Sequence, residues 1–263
     1  MPVRNLDAVI KAYDVRGVYP DQLDEDLAHE VGAAFVRVLD LTARDGGPGA
    51  VVIGHDMRPS GPDLVSSFSA GVREQGCDVV LIGLASTDGL YFASGHLGLP
   101  GAMFTASHNP ARYNGIKLCR PGAAPVGQDS GLRDIRAMVE AGVPASDLPL
   151  GQERHLDVLA DYGRHLRSLV DVSDIRPLKV VVDAGNGMAG FTVPAVLGDA
   201  AGLAPLPLDI DAMYFELDGT FPNHEANPID PENLRDLQAR VRATGADLGL
   251  AFDGDADRCF LVD

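Results

Sequence analysis

Short apolar runs alternate with stretches of helical period along most of this chain. Residues 50–54 (A-V-V-I-G) read as a buried strand. A helix is expected after Pro59, through L-V-S-S-F-S-A-G-V-R-E-Q. Residues 78–83 (D-V-V-L-I-G) give a second strand, 88–97 a second helix, and 101–104 a third strand. Strands alternating with helices imply a mainly parallel sheet covered on both faces. Gly46-Gly47-Pro48-Gly49 reads as a loop within this unit. The pattern lapses over 142–151, G-V-P-A-S-D-L-P-L-G, where Pro and Gly mark the best boundary between two domains, expected at 1–146 and 147–263. The rhythm then resumes: a helix over 156–169, a strand L-K-V-V-V-D, a helix over 230–242 with Pro231 in its first turn, the strand D-L-G-L-A-F, and a returning strand C-F-L-V-D.

Two segments carry chemistry. The strand D-L-G-L-A-F runs into F-D-G-D-A-D-R, which places Asp253, Asp255 and Asp257 at alternating positions. Alternate residues of an extended segment point to one side. At ~4 Å and an effective dielectric of ~20, each carboxylate pair costs about 4 kcal/mol. A bound cation relieves that repulsion, and oxygen ligands select Mg²⁺, Ca²⁺ or Mn²⁺ over zinc. Gly254 and Ala256 leave room for the backbone to curl around an ion. The second segment is T-A-S-H-N-P, with Ser107 at its centre. It breaks an apolar run, and Asn109-Pro110 and Asn114-Gly115 are turn signals. A serine on a constrained loop at a strand end stands where α/β folds carry function. There is no G-x-S-x-G elbow. Gly185, Gly187 and Gly190 fit G-x-G-x-x-G, but the acidic residues downstream lie in P-L-D-I-D-A-M-Y, a poor ribose-binding strand end, and the dinucleotide reading is rejected.

T-A-S-H-N-P, Y-N-G-I-K, D-A-G-N-G-M-A-G, F-P-N-H-E-A-N-P and F-D-G-D-A-D-R occur in that order, after Y-D-V-R-G and G-H-D-M-R-P-S. Together they resemble the α-D-phosphohexomutases, and the phosphomannomutase/phosphoglucomutase branch most closely, across essentially the whole chain. The resemblance implies two consecutive three-layer α/β/α domains with mixed, mainly parallel sheets, the first half of a four-domain enzyme. It implies that Ser107 is the phosphorylated serine. Asp253, Asp255 and Asp257 would be the Mg²⁺ ligands, joined by an oxygen on Ser107. Arg258 would contact phosphate, Lys117 would be a general acid/base, and Arg16 would line the cleft. His108 would shape the nucleophile's loop, while Arg58 reads as a structural cap or pair. Ala256 stands where many relatives have glycine. The implied activity interconverts hexose 1-phosphate and 6-phosphate through a hexose 1,6-bisphosphate, with glucose 1,6-bisphosphate as activator of the full-length enzyme. Domains three and four, which select and grip the sugar, are not accounted for, so negligible turnover is expected from this span alone. A phosphoglucosamine mutase is the alternative within the family, although T-A-S-H-N-P favours the mannose/glucose branch. A non-catalytic module binding Mg²⁺ and phosphate is the alternative outside it.

Composition adjusts this picture. At 263 residues the chain suits about two domains. A formal charge of −17 argues against nucleic acid and anionic membranes as partners. It also requires a cleft that is locally basic if sugar phosphates bind. No apolar run approaches the ~20 residues that span a bilayer. The opening M-P-V-R-N-L-D lacks a signal-peptide core. Cys77, Cys119 and Cys259 show no C-x-x-C spacing, and a reducing cytoplasm is expected. The oligomeric state is left open between monomer and dimer.

Overall fold

The computed structural model describes residues 5–44 and 47–263. Residues 1–4, part of the signal-peptide reading, and Gly46, part of the expected loop, lie outside the described residues. The first half runs α1 (Leu6–Val9), β1 (Val15–Val18), α2 (Glu25–Val38), the two-residue strands β2 (Ala43–Arg44) and β3 (Gly47–Pro48), then β4 (Ala50–His55), α3 (Gly61–Glu74) and β5 (Asp78–Leu84). It continues with α4 (Thr87–Leu97), β6 (Gly101–Phe104), β7 (Tyr113–Arg120), β8 (Ala124–Pro125), α5 (Leu132–Ala141) and β9 (Glu153–His155). The second half holds α6 (Leu159–Ser168), β10 (Leu178–Asp183), α7 (Ala189–Val196), β11 (Leu208–Met213), α8 (Arg235–Thr244), β12 (Leu248–Phe252) and β13 (Cys259–Val262).

The first sheet has the order β1-β7-β6-β4-β5-β9, with β8 added beside β7. Strands β6, β4, β5 and β9 are parallel, whereas β7 runs antiparallel to both β6 and β1. Both faces of β4 are apolar, so period-2 alternation sorts its residues between two cores. Val51 and Ile53 join α2, α3 and α5 on one face, and Val52 packs with Leu90 and Ala93 of α4 on the other. The second sheet has the order β11-β10-β12-β13, with only β13 antiparallel. Val180 and Val182 meet Ala189 and Val193 of α7, while Val181 meets Leu237 and Val241 of α8. Each half is therefore a three-layer α/β/α unit built on a mixed, mainly parallel sheet.

Local chemistry sets the element ends. Ser86 caps α4 by accepting the Gly89 N–H at 3.1 Å, and the helix starts at Thr87. Residues 156–158 do not join α6 as expected, because Leu156 N–H donates to the Leu81 carbonyl and prolongs the pairing begun by β9. The helix expected over 230–242 opens as a 3-10 turn, Pro231–Leu234, before α8. The expected loop at 46–49 is corrected in part: Gly47 and Pro48 pair with Arg44 and Ala43 in a small antiparallel ladder. β9 lies C-terminal to residue 146 and still pairs with β5 of the first sheet. No helix among the described residues is long and apolar enough to cross a membrane.

Candidate active site

The carboxyl ends of β4, β5, β6 and β12 converge where the two sheets face each other, the usual ligand position in open α/β sheets. The loop after β6 carries Ser107, which is 5% exposed and takes a left-handed φ of 51°. Its N–H donates to Thr105 Oγ1 at 2.8 Å. The loop is gripped from below by Arg58, which is 1% exposed. Arg58 Nε donates to Asp56 Oδ2 at 3.2 Å. Its Nη1 donates to the carbonyls of Pro110 and Tyr113, and Nη2 to those of Ser107 and Asn109, over 2.7–2.9 Å. Every guanidinium N–H is thus spent on one buried ion pair and the serine loop. The Asp56 pair is one of the two structural roles expected for Arg58, and the grip on the loop carbonyls adds to it. Arg16, on β1, reaches the same loop. Its Nη1 donates to Asn109 Oδ1 at 2.7 Å and its Nη2 to Asp14 Oδ2.

The loop after β12 brings the acids. One carboxylate oxygen each of Asp253, Asp255 and Asp257 lies within 4.8 Å of the others. They do not converge as residues of an extended strand would. The segment is a tight turn, closed by Ala256 N–H to the Asp253 carbonyl at 3.1 Å, with Ala256 at φ 57°. Gly254 is a point of close backbone approach between the two halves: a Cβ there would lie 2.5 Å from the Ser107 carbonyl oxygen. Behind it, Met188 N–H donates to the Gly254 carbonyl at 2.9 Å, and a Cβ on Gly187 would lie 2.7 Å from that oxygen. The glycine loop once weighed as a dinucleotide site therefore buttresses the acidic turn. Phe221 also lies here, with the Arg58 guanidinium 5.2 Å from its ring centroid.

Across this seam the polar groups pair. Ser107 Oγ donates to Asp253 Oδ2 at 2.8 Å. Arg258 Nε donates to the same oxygen at 2.8 Å, and its Nη2 contacts Asp253, Ser107 Oγ and, at 2.7 Å, His108 Nδ1. Lys117 Nζ donates to Asp255 Oδ2 at 2.7 Å and Asp257 Oδ2 at 2.9 Å. Thr87 Oγ1 donates to Asp255 Oδ2 at 2.6 Å. Thr87 was not singled out in the sequence; the only signal for it was its place beside the Ser86 cap.

These contacts set the charges. Burial, and then the charges of Asp255 and Asp257, raise the Asp253 carboxyl to about 7, against the pull of Ser107 and Arg258. Burial pushes Asp255 the same way, but the Lys117 ammonium and the Lys117 and Thr87 hydrogen bonds outweigh it and hold this carboxyl well below the usual range. Burial would lower Lys117, yet Asp255 and Asp257 overcome it and raise the ammonium. Burial, followed by the charges of Arg258 and Arg16, lowers His108. The residues fit a hard cation. Asp255 Oδ1 is buried without a hydrogen-bond partner among the described residues, while all three carboxylates face one point.

Fold and site define a two-domain α/β chain in which an acidic turn closes on a loop serine. The sequence matches the phosphoglucomutase/phosphomannomutase α/β/α domain I over residues 7–144 and domain II over 160–263. It is 46% identical over 256 residues to a phosphohexose mutase of Xanthomonas campestris pv. campestris, covering 96% of this chain and 54% of that protein. It is 42% identical to a phosphomannomutase of Escherichia coli, covering 96% of this chain and 55% of the relative. Among solved structures, a phosphoglucomutase/phosphomannomutase family protein of Burkholderia thailandensis superposes with a TM-score of 0.83 at 37% identity, over 97% of this chain and 54% of that one. The chain belongs to the phosphoglucomutase/phosphomannomutase family. It spans about half the length of the relatives it matches.

Proposed function

We propose that this chain carries the phosphoserine and metal-binding parts of an enzyme that interconverts hexose 1-phosphate and hexose 6-phosphate, with mannose and glucose as the sugars. The observation that carries this reading is the seam itself: Ser107 Oγ lies 2.8 Å from a carboxylate of an acidic turn that has a buried, unpartnered oxygen. In this reading Ser107 is phosphorylated at rest. Mg²⁺ would be held by Asp253, Asp255, Asp257 and a phosphoryl oxygen on Ser107, where it neutralises charge on the transferring group.

The chain's own residues then divide the work. Ser107 gives its phosphoryl group to the free hydroxyl of the hexose monophosphate. The sugar O–P bond forms, the serine O–P bond breaks, and the hydroxyl proton leaves to a base. The hexose 1,6-bisphosphate turns over and returns its other phosphoryl group to Ser107. Arg258, already on Ser107 Oγ, stabilises charge on the phosphoryl oxygens. Lys117 is a proton carrier. Its present partners are Asp255 and Asp257, and once these carboxylates engage a cation its ammonium proton becomes easier to release. Arg16, with Arg258 and Lys117, adds the local positive charge that a chain of net −17 needs to admit a sugar phosphate, while His108, its Nδ1 held by Arg258, shapes the loop. By itself the 263-residue span is expected to bind Mg²⁺ with negligible mutase turnover.

Peptide mass spectrometry before and after exposure to glucose 1,6-bisphosphate tests the phosphoserine. A single added phosphoryl group on Ser107 supports the reading, and modification elsewhere with Ser107 untouched refutes it. In the full-length protein, Ser107→Ala should nearly abolish turnover of mannose 1-phosphate in a coupled assay. Wild-type rates from that variant would remove Ser107 from the mechanism.

A further inference from the structure

Two motifs remain outside the chemistry above: D-A-G-N-G-M-A-G after β10 and F-P-N-H-E-A-N-P before α8. They are stapled together. Asn223 Nδ2 donates to Asn186 Oδ1 at 2.8 Å. His224 Nε2 lies 3.0 Å from Oδ2 of Asp183, whose side chain is 1% exposed. Its other nitrogen, Nδ1, lies 2.9 Å from the Glu225 carbonyl. A carbonyl only accepts, and so does an ionised carboxylate. Asp183 Oδ1 is meanwhile occupied by the Gly185 N–H at 2.9 Å. With Asp183 ionised, both ring nitrogens donate, and the ring is then an imidazolium paired with a buried carboxylate. The hydrogen bond from Asp183 raises this histidine, and burial opposes it. Tyr214 packs edge-on to the ring at 5.3 Å and hydrogen-bonds Asp236, the next carboxylate beyond.

Both stapled segments press on one residue. The glycine loop holds the Gly254 carbonyl through Met188 N–H. From the other motif, Phe221 Cζ lies 3.6 Å from where a Cβ on Gly254 would stand. Gly254 separates the first two aspartates of the acidic turn. We propose that the His224–Asp183 ion pair is a positioning clasp that fixes the backbone of the acidic turn at Gly254, and with it the convergence of Asp253 and Asp255 on a divalent cation. The clasp rests on the metal reading above.

The test combines ¹⁵N NMR of the imidazole rings with Mg²⁺ titration calorimetry on wild type, His224→Gln and Asp183→Asn. The clasp requires that both His224 nitrogens carry protons in the wild type, and that the ring titrate above a histidine in an unstructured peptide. His224→Gln keeps a side-chain donor but loses the charge, and should weaken Mg²⁺ binding by about tenfold, the lower end of what loss of a ligand-orienting partner does. Asp183→Asn should weaken it similarly and return His224 to ordinary titration. A His224 ring with one protonated nitrogen overturns the clasp, and this readout needs no variant to fold. Folded His224→Gln that binds Mg²⁺ like wild type also overturns it and leaves the metal reading standing. Wild-type protein that binds no Mg²⁺ overturns the metal reading, and the clasp's purpose with it.

Discussion

At the scale of single residues, the serine loop and the acidic turn each place a non-glycine residue in left-handed backbone where glycine is at ease: Ser107 at φ 51° and Ala256 at φ 57°. Such a conformation costs an L-residue roughly 1–2 kcal/mol. For Ser107 the cost is offset by Arg58, whose bonds to four loop carbonyls hold the turn. Arg58→Met would strand those carbonyls and the fully buried Asp56. It should destabilise the protein by about 3–5 kcal/mol, read from the shift of a urea denaturation midpoint. Ala256 has no comparable tether, so Ala256→Gly should stabilise by roughly 0.5–1 kcal/mol once the added chain entropy of glycine is deducted. An unchanged melting temperature would show that the turn relaxes without it.

Asp253 also gives stability a pH dependence. Its carboxyl is raised to about 7, so the folded state holds a proton that the unfolded chain releases near 4. That contribution is complete below the unfolded value and is lost as pH rises toward 7. Asp255, shifted the opposite way, and Lys117, shifted upward, contribute across the neutral range and lose their contributions only in strong acid and strong alkali respectively. Metal-free protein should therefore lose melting temperature through Asp253 between about pH 4 and 7. Mg²⁺, which must displace that proton, should raise the melting temperature more at pH 7.5 than at 5.5. A Mg²⁺ effect of equal size at both would contradict a protonated Asp253. The clustering of the three acids was legible from their spacing, although the turn, not strand alternation, produces it. The Thr87–Asp255 bond was not legible, because its partners stand 168 residues apart and neither forms part of a local pattern.

At the scale of elements, β4, β5, β6, β10 and β12 were legible as short apolar runs, rich in Val and Ile in β4, β5 and β10, that suit strands covered on both faces. α2 was legible in principle: Leu27, Val31 and Phe35 form a stripe, and Asp24 caps it. β9 was not, since Glu153, Arg154 and His155 are all exposed and only the neighbouring strand makes them a strand. α7 hides behind a glycine loop and carries Pro194 within it. The site depends on how α4 begins. Its first residue gives both its N–H, at 3.1 Å, and its hydroxyl to Asp255. Thr87→Val preserves shape and helix while removing the hydroxyl. It should lower Mg²⁺ affinity by about tenfold in calorimetry, and a negligible loss would assign Thr87 to packing alone.

At the scale of the molecule, the bonds from Ser107, Thr87 and Lys117 to the aspartates, and from Arg258 to His108, all cross between the two sheets' loops. Site and seam are one structure. A phosphoryl group on Ser107 brings roughly −1.5 to −2 charges against Asp253. Phosphorylated, metal-free protein should accordingly show faster hydrogen exchange over residues 253–258 than unmodified protein, with Mg²⁺ restoring protection. Equal exchange in all states would mean that the seam is held elsewhere. That the chain holds two α/β units was legible from its strand–helix rhythm, whereas the Pro- and Gly-rich lapse falls before β9, which still pairs with the first sheet. The mutual approach of the two loops was not legible, since it depends in part on close backbone approach at Gly254, which leaves no hydrophobic signature.

The ring of Phe221 touches this contact from one side while the Arg58 guanidinium sits over it. The chain contains no tryptophan. An indole placed at Phe221 would thus be the sole such fluorophore, packed against the cation that grips the nucleophile's loop and the glycine where the two halves touch. Its emission would follow the meeting of the halves in real time, making a spectroscopic clock of a contact that carries no chromophore of its own.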